Sequence, residues 1–383
     1  MLIAVLVYNG RDFVPACLDS TVALQAGGRD VDVLVLDDCS PDEGWSHELR
    51  ERCAGHGVGY YRSPRNLGIP RNMNLALLRA LEGSYDYVML LNSDVVVPLN
   101  LLDGMIGAAE SGPAIASVTA WSNNVSVFSI PNHDDSATLL RQDVADWVSL
   151  QLQDQFGPVA FDLPTGVGYC LLMPVSVVAE VGLMDPVYGR GYCEEVDWCL
   201  RSHARGYRSV LAPSTFVFHH GGRSTTEAGM VSGLHRTVAD HERILDLRYP
   251  AYRGDVEAFL TADPLASLVA RALWVIVIGA AQRWGYEVEA RRLAGGPAEP
   301  AAAEVVRVVV DPGRPDTAVA DYRGFRLSLP VADGDVATTL RDTFGGPPLG
   351  VSVFDRGPLD MEWAASFGSH VPARDLFGYP ERV

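Results

Sequence analysis

Basic residues are scarce in this chain: arginine and lysine together number 30 against 48 aspartates and glutamates, a formal charge of −18. A nucleic-acid binder needs a basic face to neutralise phosphates, and this balance excludes one. It leaves room for a small phosphate-bearing ligand, because a bound metal supplies positive charge locally. Cysteine is sparse as well, with six residues at 17, 39, 53, 170, 193 and 199 and no C-x-x-C pair. That spacing speaks against zinc or a disulfide framework and for reduced, mostly buried thiols. The opening "MLIAVLVYNG" lacks a basic start, and its apolar run ends too soon for a secretory signal. A cytoplasmic protein is therefore expected, and the Asn124-Val125-Ser126 sequon carries no weight. Long hydrophobic runs are missing too. The strongest, "LASLVARALWVIVIGAA" at 265–281, falls short of the ~20 residues of a membrane span and holds Arg271. It reads as a buried or interfacial helix, which allows peripheral membrane association. No internal repeat is evident.

What is present is globular. With 383 residues, 48% of them hydrophobic, the chain has the length for two or three domains and the material for a sizeable core. Its first third alternates short apolar strands with helical patterns: "LIAVLVYN" (2–9), "VDVLVLDD" (31–38), "VGYYRS" (58–63) and "YDYVMLLNSD" (85–94) are strands. Helical periodicity fills 12–24 and 66–82 between them. This alternation implies a doubly wound, mostly parallel α/β sheet, whose ligand sits beyond the carboxyl ends of the strands. Asn9, Asp37, Asp38 and Asp94 all fall at such ends.

"AIASVTA" (114–120) continues the sheet and runs into 121–164, read as one long irregular segment and hence a functional loop. "GVGYCLLMP" (166–174) and "SVLAPSTFVFHH" (209–220) resume it. The expected division is a catalytic domain over 1–235, a helical extension and linker over 236–300, and a small β-rich or α/β module over 301–383. The Gly, Pro and Ala of "RRLAGGPAEPAAAE" (291–304) mark the linker.

Three stretches carry chemistry. Asn92 and Asp94 in "LLNSD" could hold a divalent cation bridging phosphates, or simply form a turn. Asp37 or Asp38 in "LDDCS" could accept hydrogen bonds from a nucleotide base or ribose, or cap a turn. "GRGYCEEVDWCLR" crowds Glu194, Glu195 and Asp197 into the first turn of a helix, where the dipole favours negative charge. Asp197 lies four residues before Arg201, the spacing of an ion pair along a helix, which points to a structural or acceptor-side role. Glu194 and Glu195 project differently, so one of them is expected to face the cleft. His219 and His220 follow, with glycines that permit close backbone approach.

In this order, Tyr8-Asn9, "DDCS", "RNLGIPRN", "LLNSD", "GRGYCEEVDWCLR" and "FVFHHGGRS" resemble the family 2 glycosyltransferases over roughly residues 2–224. The resemblance implies a GT-A fold and an inverting, metal-dependent transfer of a hexose from a UDP- or dTDP-sugar. The acceptor would be a hydroxyl of a glycan, a lipid-linked sugar or a metabolite. "LLNSD" and "EEVDWCLR" look like rhamnosyltransferases, and rhamnose is the sugar expected. Carried over by position, Asp94 becomes the Mn²⁺ or Mg²⁺ ligand at the diphosphate, and His219 a further ligand, with His220 the alternative. Asp38, with Asp37 beside it, holds the nucleoside, helped by Tyr8, Asn9, Asn66, Arg71 and Asn72, with Asn92 and Ser93 also on the donor side. Glu195 is the base, with Glu194 kept open, and Glu194, Asp197 and Trp198 support the acceptor side. The chain departs from the family twice. The usual D-x-D is Asn92-Ser93-Asp94, and the base is Glu where Asp is common. A sugar-phosphate nucleotidyltransferase would want a Gly-rich basic loop after the first strand, which "YNGRDFVPACLDS" does not offer. A non-catalytic nucleotide-sugar-binding module is the remaining alternative, and self-association is compatible with the composition.

Overall fold

The computed structural model describes residues 1–125, 128–130, 142–220 and 238–269, together with Arg271, Ala272 and Val275. It also gives the backbone of five strands between 287 and 354. Two compact units emerge, Met1–Ser129 with Asp134–Ala262, and Ile130–His133 with Asp263–Val383.

The first unit is built on an eight-stranded sheet. Its strands are β1 (Leu2–Val7), β2 (Asp32–Asp37), β3 (Gly59–Arg62), β4 (Tyr87–Asn92), β6 (Ile115–Trp121), β7 (Phe161–Leu163), β8 (Cys170–Pro174) and β9 (Arg208–Phe216). They lie in the order β3-β2-β1-β4-β8-β6-β9-β7. All the pairings of β1 to β4 among themselves are parallel, as is β6 with β9, while β8 and β7 run against their neighbours. A two-stranded ribbon pairs β5 (Val95–Val96) with β10 (Phe218–His219). β1 is buried along its whole length, as a central parallel strand covered on both faces must be. Leu2, Ala4 and Leu6 pack with Met73, Leu77, Val178 and Trp198 from α3 (Ile69–Glu82), α6 (Val175–Val181) and α7 (Glu194–His203). Strand alternation turns Ile3, Val5 and Val7, all fully buried, to the opposite face. The register matches Leu6 with Asn92 and Val7 with Asp37, so the strand ends finish together at one edge.

The segment 121–164 departs from its reading as irregular. It contains helix α5 (Gln142–Phe156) and strand β7. Ala145, Val148, Ser149 and Leu152 are fully buried at helical spacing, and the helix lies along β9. Of the remaining helices, α1 (Val14–Ala23), α2 (Glu43–Gly55) and α4 (Leu101–Glu110) complete the layers, and α8 (Val238–Arg248) and α9 (Tyr252–Ala262) fall within this unit. All six cysteines are free, and burial pushes the Cys17 thiol up to about 12.

The second unit holds a five-stranded antiparallel sheet in the order β14-β13-β12-β11-β15. Its strands are β11 (Glu287–Leu293), β12 (Ala303–Val310), β13 (Thr317–Tyr322), β14 (Phe325–Pro330) and β15 (Gly350–Phe354). "RRL", read as the start of the linker, is thus the end of β11, and Leu293 pairs with Ala303. Among the described residues no helix is long and apolar enough to cross a membrane; part of 265–281 lies outside them.

Candidate active site

The parallel strands of the first unit end on one cleft of about 220 Å³. β1 delivers Tyr8, β2 Asp38, β4 Asn92, Ser93 and Asp94, and the residues ahead of β8 deliver Gly168 and Tyr169. The lining is completed by Asn66 and Asn72 near the start of α3, Arg190 and Tyr192 from the loop before α7, and Glu194 and Glu195 from its first turn.

Asp94 and His219 meet because β5 and β10 pair directly, His219 opposite Val95. His219 Nε2 lies 3.5 Å from Asp94 Oδ1. Its Nδ1 faces the Asn124 carbonyl at 2.9 Å, so that nitrogen carries the proton and Nε2 turns to the carboxylate. The Asn123 side chain grips the same residue twice, accepting from His219 N at 2.9 Å and donating to His219 O at 3.0 Å. Tyr169 stacks on the imidazole with ring centroids 5.1 Å apart. Burial works to raise the Asp94 carboxyl, but the hydrogen bond and charge of His219 outweigh it and hold it below its ordinary value. For His219 burial works to lower the imidazole, and Asp94 more than offsets it, so the ring is held above its usual range. His220 is turned elsewhere, its ring packed near Phe13 and Phe218.

One carboxylate and one oriented imidazole suit Mn²⁺ or Mg²⁺ whose remaining positions are filled by phosphate oxygens. They do not make a closed cage, and no three His, Cys, Asp or Glu side chains gather as one among the described residues. Both side chains are donors that such a cation accepts.

Asp37 and Asp38 divide sharply. Asp37 is fully buried and does not line the cleft. Its Oδ1 accepts from Ser40 N and Oγ at 2.8 and 2.7 Å, and its Oδ2 from Ser46 Oγ and Tyr60 OH at 2.8 Å each. With four donors and Arg62 at 3.5 Å it has no capacity left for a ligand. Asp38 does line the cleft and accepts from Leu67 N and Gly68 N at 2.6 and 2.8 Å. Burial, the largest influence, raises its carboxyl despite those two bonds. Gly68 stands at φ +83°, and a Cβ there would drive into the Gly189 carbonyl, so only glycine lets α3 meet the 189–190 loop.

Two further residues expected on the donor side do not line the cleft. Asn9, at φ +62°, uses its backbone on Ser40 Oγ and Trp45 Nε1 and shapes the turn instead of bordering the cleft. Arg71 is exposed, its guanidinium 3.5 Å from the Leu67 carbonyl just ahead of α3. Tyr8, Asn66, Asn72, Asn92 and Ser93 do line the cleft, and Asn72 Oδ1 is buried there without a hydrogen-bond partner.

Where α7 forms its wall, both Glu194 and Glu195 border the cleft, though only one was expected to. They stand at the mouth of α7, where two successive side chains still reach the opening. Each has one buried carboxyl oxygen, Oε2, without a partner. Burial raises both carboxyls, and the charge of Glu195 pushes Glu194 further up. The backbone N–H of Gly168 tempers Glu195 by bonding its charged form. Asp197 and Trp198 lie behind this wall. Asp197 is fully buried and bonded to Arg201 Nε at 2.8 Å, and Trp198 Nε1 donates to the Gly182 carbonyl at 2.7 Å.

Sequence reasoning missed Arg190, Tyr169 and the Asn123–Asn124 pair. Among the described residues Arg190 is the one arginine lining the cleft, and it bears electrostatically on Asp38. Its setting, Gly-Arg-Gly, reads as a turn, and nothing in the sequence announces the site. "SNN" ahead of an irregular stretch offered a faint signal, since paired amides suit the clamping of backbone.

Residues 2–182 match the family model described as glycosyl transferase family 2. Over these residues, a little under half of the chain, it is similar to the family 2 glycosyltransferases. It is an enzyme of sugar transfer, built on a mixed, mostly parallel sheet flanked by helices. No curated protein matches it. Among solved structures it is similar to the mannosyltransferase PcManGT from Pyrobaculum calidifontis in complex with GDP-Man and Mn²⁺. That pair shares 16% identity over 73% of this chain and 74% of the other, with a TM-score of 0.45. It is also similar to GalNAc-T7 with UDP, GalNAc and Mn²⁺, at 11% identity over 88% and 73%, TM-score 0.46. A third is S. aureus TarS 1–349, at 11% identity over 74% and 81%, TM-score 0.40.

Proposed function

We propose that this glycosyltransferase is inverting and metal-dependent, moving a hexose from a UDP- or dTDP-sugar to an acceptor hydroxyl. The acceptor class is a glycan, a lipid-linked sugar or a small metabolite, and rhamnose is the first sugar to test. The observation that carries the reading is the meeting of two groups in one cleft, Asp94 with His219 and Glu194 with Glu195.

A divalent cation held by Asp94 and His219 would neutralise charge on the departing diphosphate. Asp38, with Asn66 and Tyr8, would fix the nucleoside, and Arg190 adds positive charge to the cleft. Glu195 takes the proton of the acceptor hydroxyl as that oxygen bonds to the anomeric carbon and the bond to the diphosphate breaks. One displacement from the face opposite the leaving group inverts the anomeric centre. A raised carboxyl suits a base, because its proton affinity lies nearer the working pH.

The test is a panel of UDP-, dTDP- and GDP-sugars with and without Mn²⁺ or Mg²⁺, scored by nucleoside diphosphate release and the anomeric configuration of the product. Release from one donor, abolished by EDTA and giving the inverted anomer, is expected. Metal-independent release, or a retained anomer, contradicts the reading.

A further inference from the structure

The base-bearing wall is held from outside the segment that matches the family model. The chain from Asp185 to Asp197 carries Arg190, Tyr192, Glu194 and Glu195 to the cleft, and much of its backbone is strained. Tyr192 and Cys193 sit at φ +72° and +76°, and Gly191 at +132°. Non-glycine residues in that region persist only where their surroundings over-determine them.

Helix α8 supplies those surroundings at four points. Arg248 Nη1 lies 2.7 Å from Asp185 Oδ2 and 2.9 Å from Asp197 Oδ1, and its guanidinium covers the Tyr188 ring at 5.8 Å. His241 Nδ1 reaches the Gly191 carbonyl at 2.7 Å. Just past α8, Tyr249 OH donates to Asp197 Oδ1 at 3.0 Å. Arg248 therefore ties the start of the segment to its end, with both glutamates and the strained turn between the two ties. Asp197 is buried and needs cationic partners, but Arg201 already provides one and is itself anchored on the Val181 and Leu183 carbonyls at 2.9 and 2.7 Å. Charge compensation alone does not call for a second arginine. Bridging Asp185 to Asp197 does.

We propose that Arg248 is a positioning residue for sugar transfer: it locks the 185–197 segment so that Glu195 stands in register with the donor side of the cleft. This rests on the proposed role of Glu195; α8 lies beyond residues 2–182, as does the segment it holds, and both fall within the first compact unit.

The experiment compares wild type, Arg248→Met and Arg248→Lys by hydrogen–deuterium exchange of the 188–195 amides, by nucleoside diphosphate binding, and by turnover. In Arg248→Met, exchange of 188–195 rises and kcat falls about tenfold or more, as small misplacements of a reacting group do. Nucleotide affinity falls by less than kcat does, because Arg190 moves with the segment while Asp38 and Asp94, on other elements, do not. Arg248→Lys, which keeps one tie, recovers part of kcat. Unchanged exchange in a folded Arg248→Met overturns the proposal, whether or not a donor has been found. Raised exchange with unchanged kcat also overturns it, leaving Arg248 a contact for stability. If wild type neither binds nor turns over any nucleotide sugar, the functional reading fails, and the lock is then judged on exchange alone.

Discussion

Asp94 and Glu194 are buried to the same degree, 4% and 3% exposed, yet their carboxyls are driven in opposite directions. Burial pushes both upward. Across from Asp94 stands His219, and its hydrogen bond and charge reverse the sign. Beside Glu194 stands another glutamate, which adds to the effect of burial. The same kind of side chain at the same depth thus becomes a fixed anion on one wall and a proton-holding group on the other. Pairs of acids whose surroundings drive them apart are the usual signature of divided labour in an active site.

The largest effect is expected on the proton-holding wall. Glu195→Gln should lower kcat by about 10²–10⁴-fold, the range of a lost general base, while nucleotide binding survives. In wild type the acid limb of the rate profile should lie above the ordinary glutamate value of about 4.3, because Glu195 must lose its proton to act and its carboxyl is raised. Stopped assays across pH check both.

The anionic wall is next. Asn123→Ala removes the double grip on His219 and should weaken Mn²⁺ affinity or activity by about 10- to 100-fold, the usual cost of losing a group that orients a metal ligand. A Mn²⁺ titration followed by nucleotide binding reads it.

A smaller effect separates the two glutamates. Because the folded carboxyl of Glu194 is raised, its contribution to stability is fully present below the unfolded value and is lost as pH rises through the folded one. Glu194→Gln keeps the neutral form at every pH. The variant should therefore melt higher than wild type at pH 8, and the curves should converge in acid, below about pH 4. Arg71→Ala closes the series. Its side chain is exposed and off the cleft, so donor affinity should stay within about twofold.

Much of this comparison was legible in the sequence. Strand-end acids fall where a doubly wound sheet binds ligands, which picked out Asp38 and Asp94, and the spacing of Asp197 and Arg201 foretold their ion pair. What failed to show was which of two neighbours faces the ligand. Asp37 and Asp38 differ only in the donors the fold brings to them, from Ser46 and Tyr60 of distant elements. Helix α5 hid behind a Pro-, Asn- and Asp-rich run, although Ala145, Val148 and Leu152 had helical spacing. The tie from Arg248 to Asp197 joins residues 51 apart, and on sequence alone "ERILDLR" reads as a solvated helix face.

The most direct test of two separate walls is one binding titration. Nucleoside diphosphate is titrated with and without Mn²⁺ into wild type, Asp94→Asn and Glu195→Gln. Mn²⁺-dependent binding lost in Asp94→Asn and retained in Glu195→Gln is the expected result. Binding that ignores Mn²⁺, or that the two substitutions weaken alike, would contradict the division of the cleft into an anionic wall for the diphosphate and a proton-accepting wall for the acceptor.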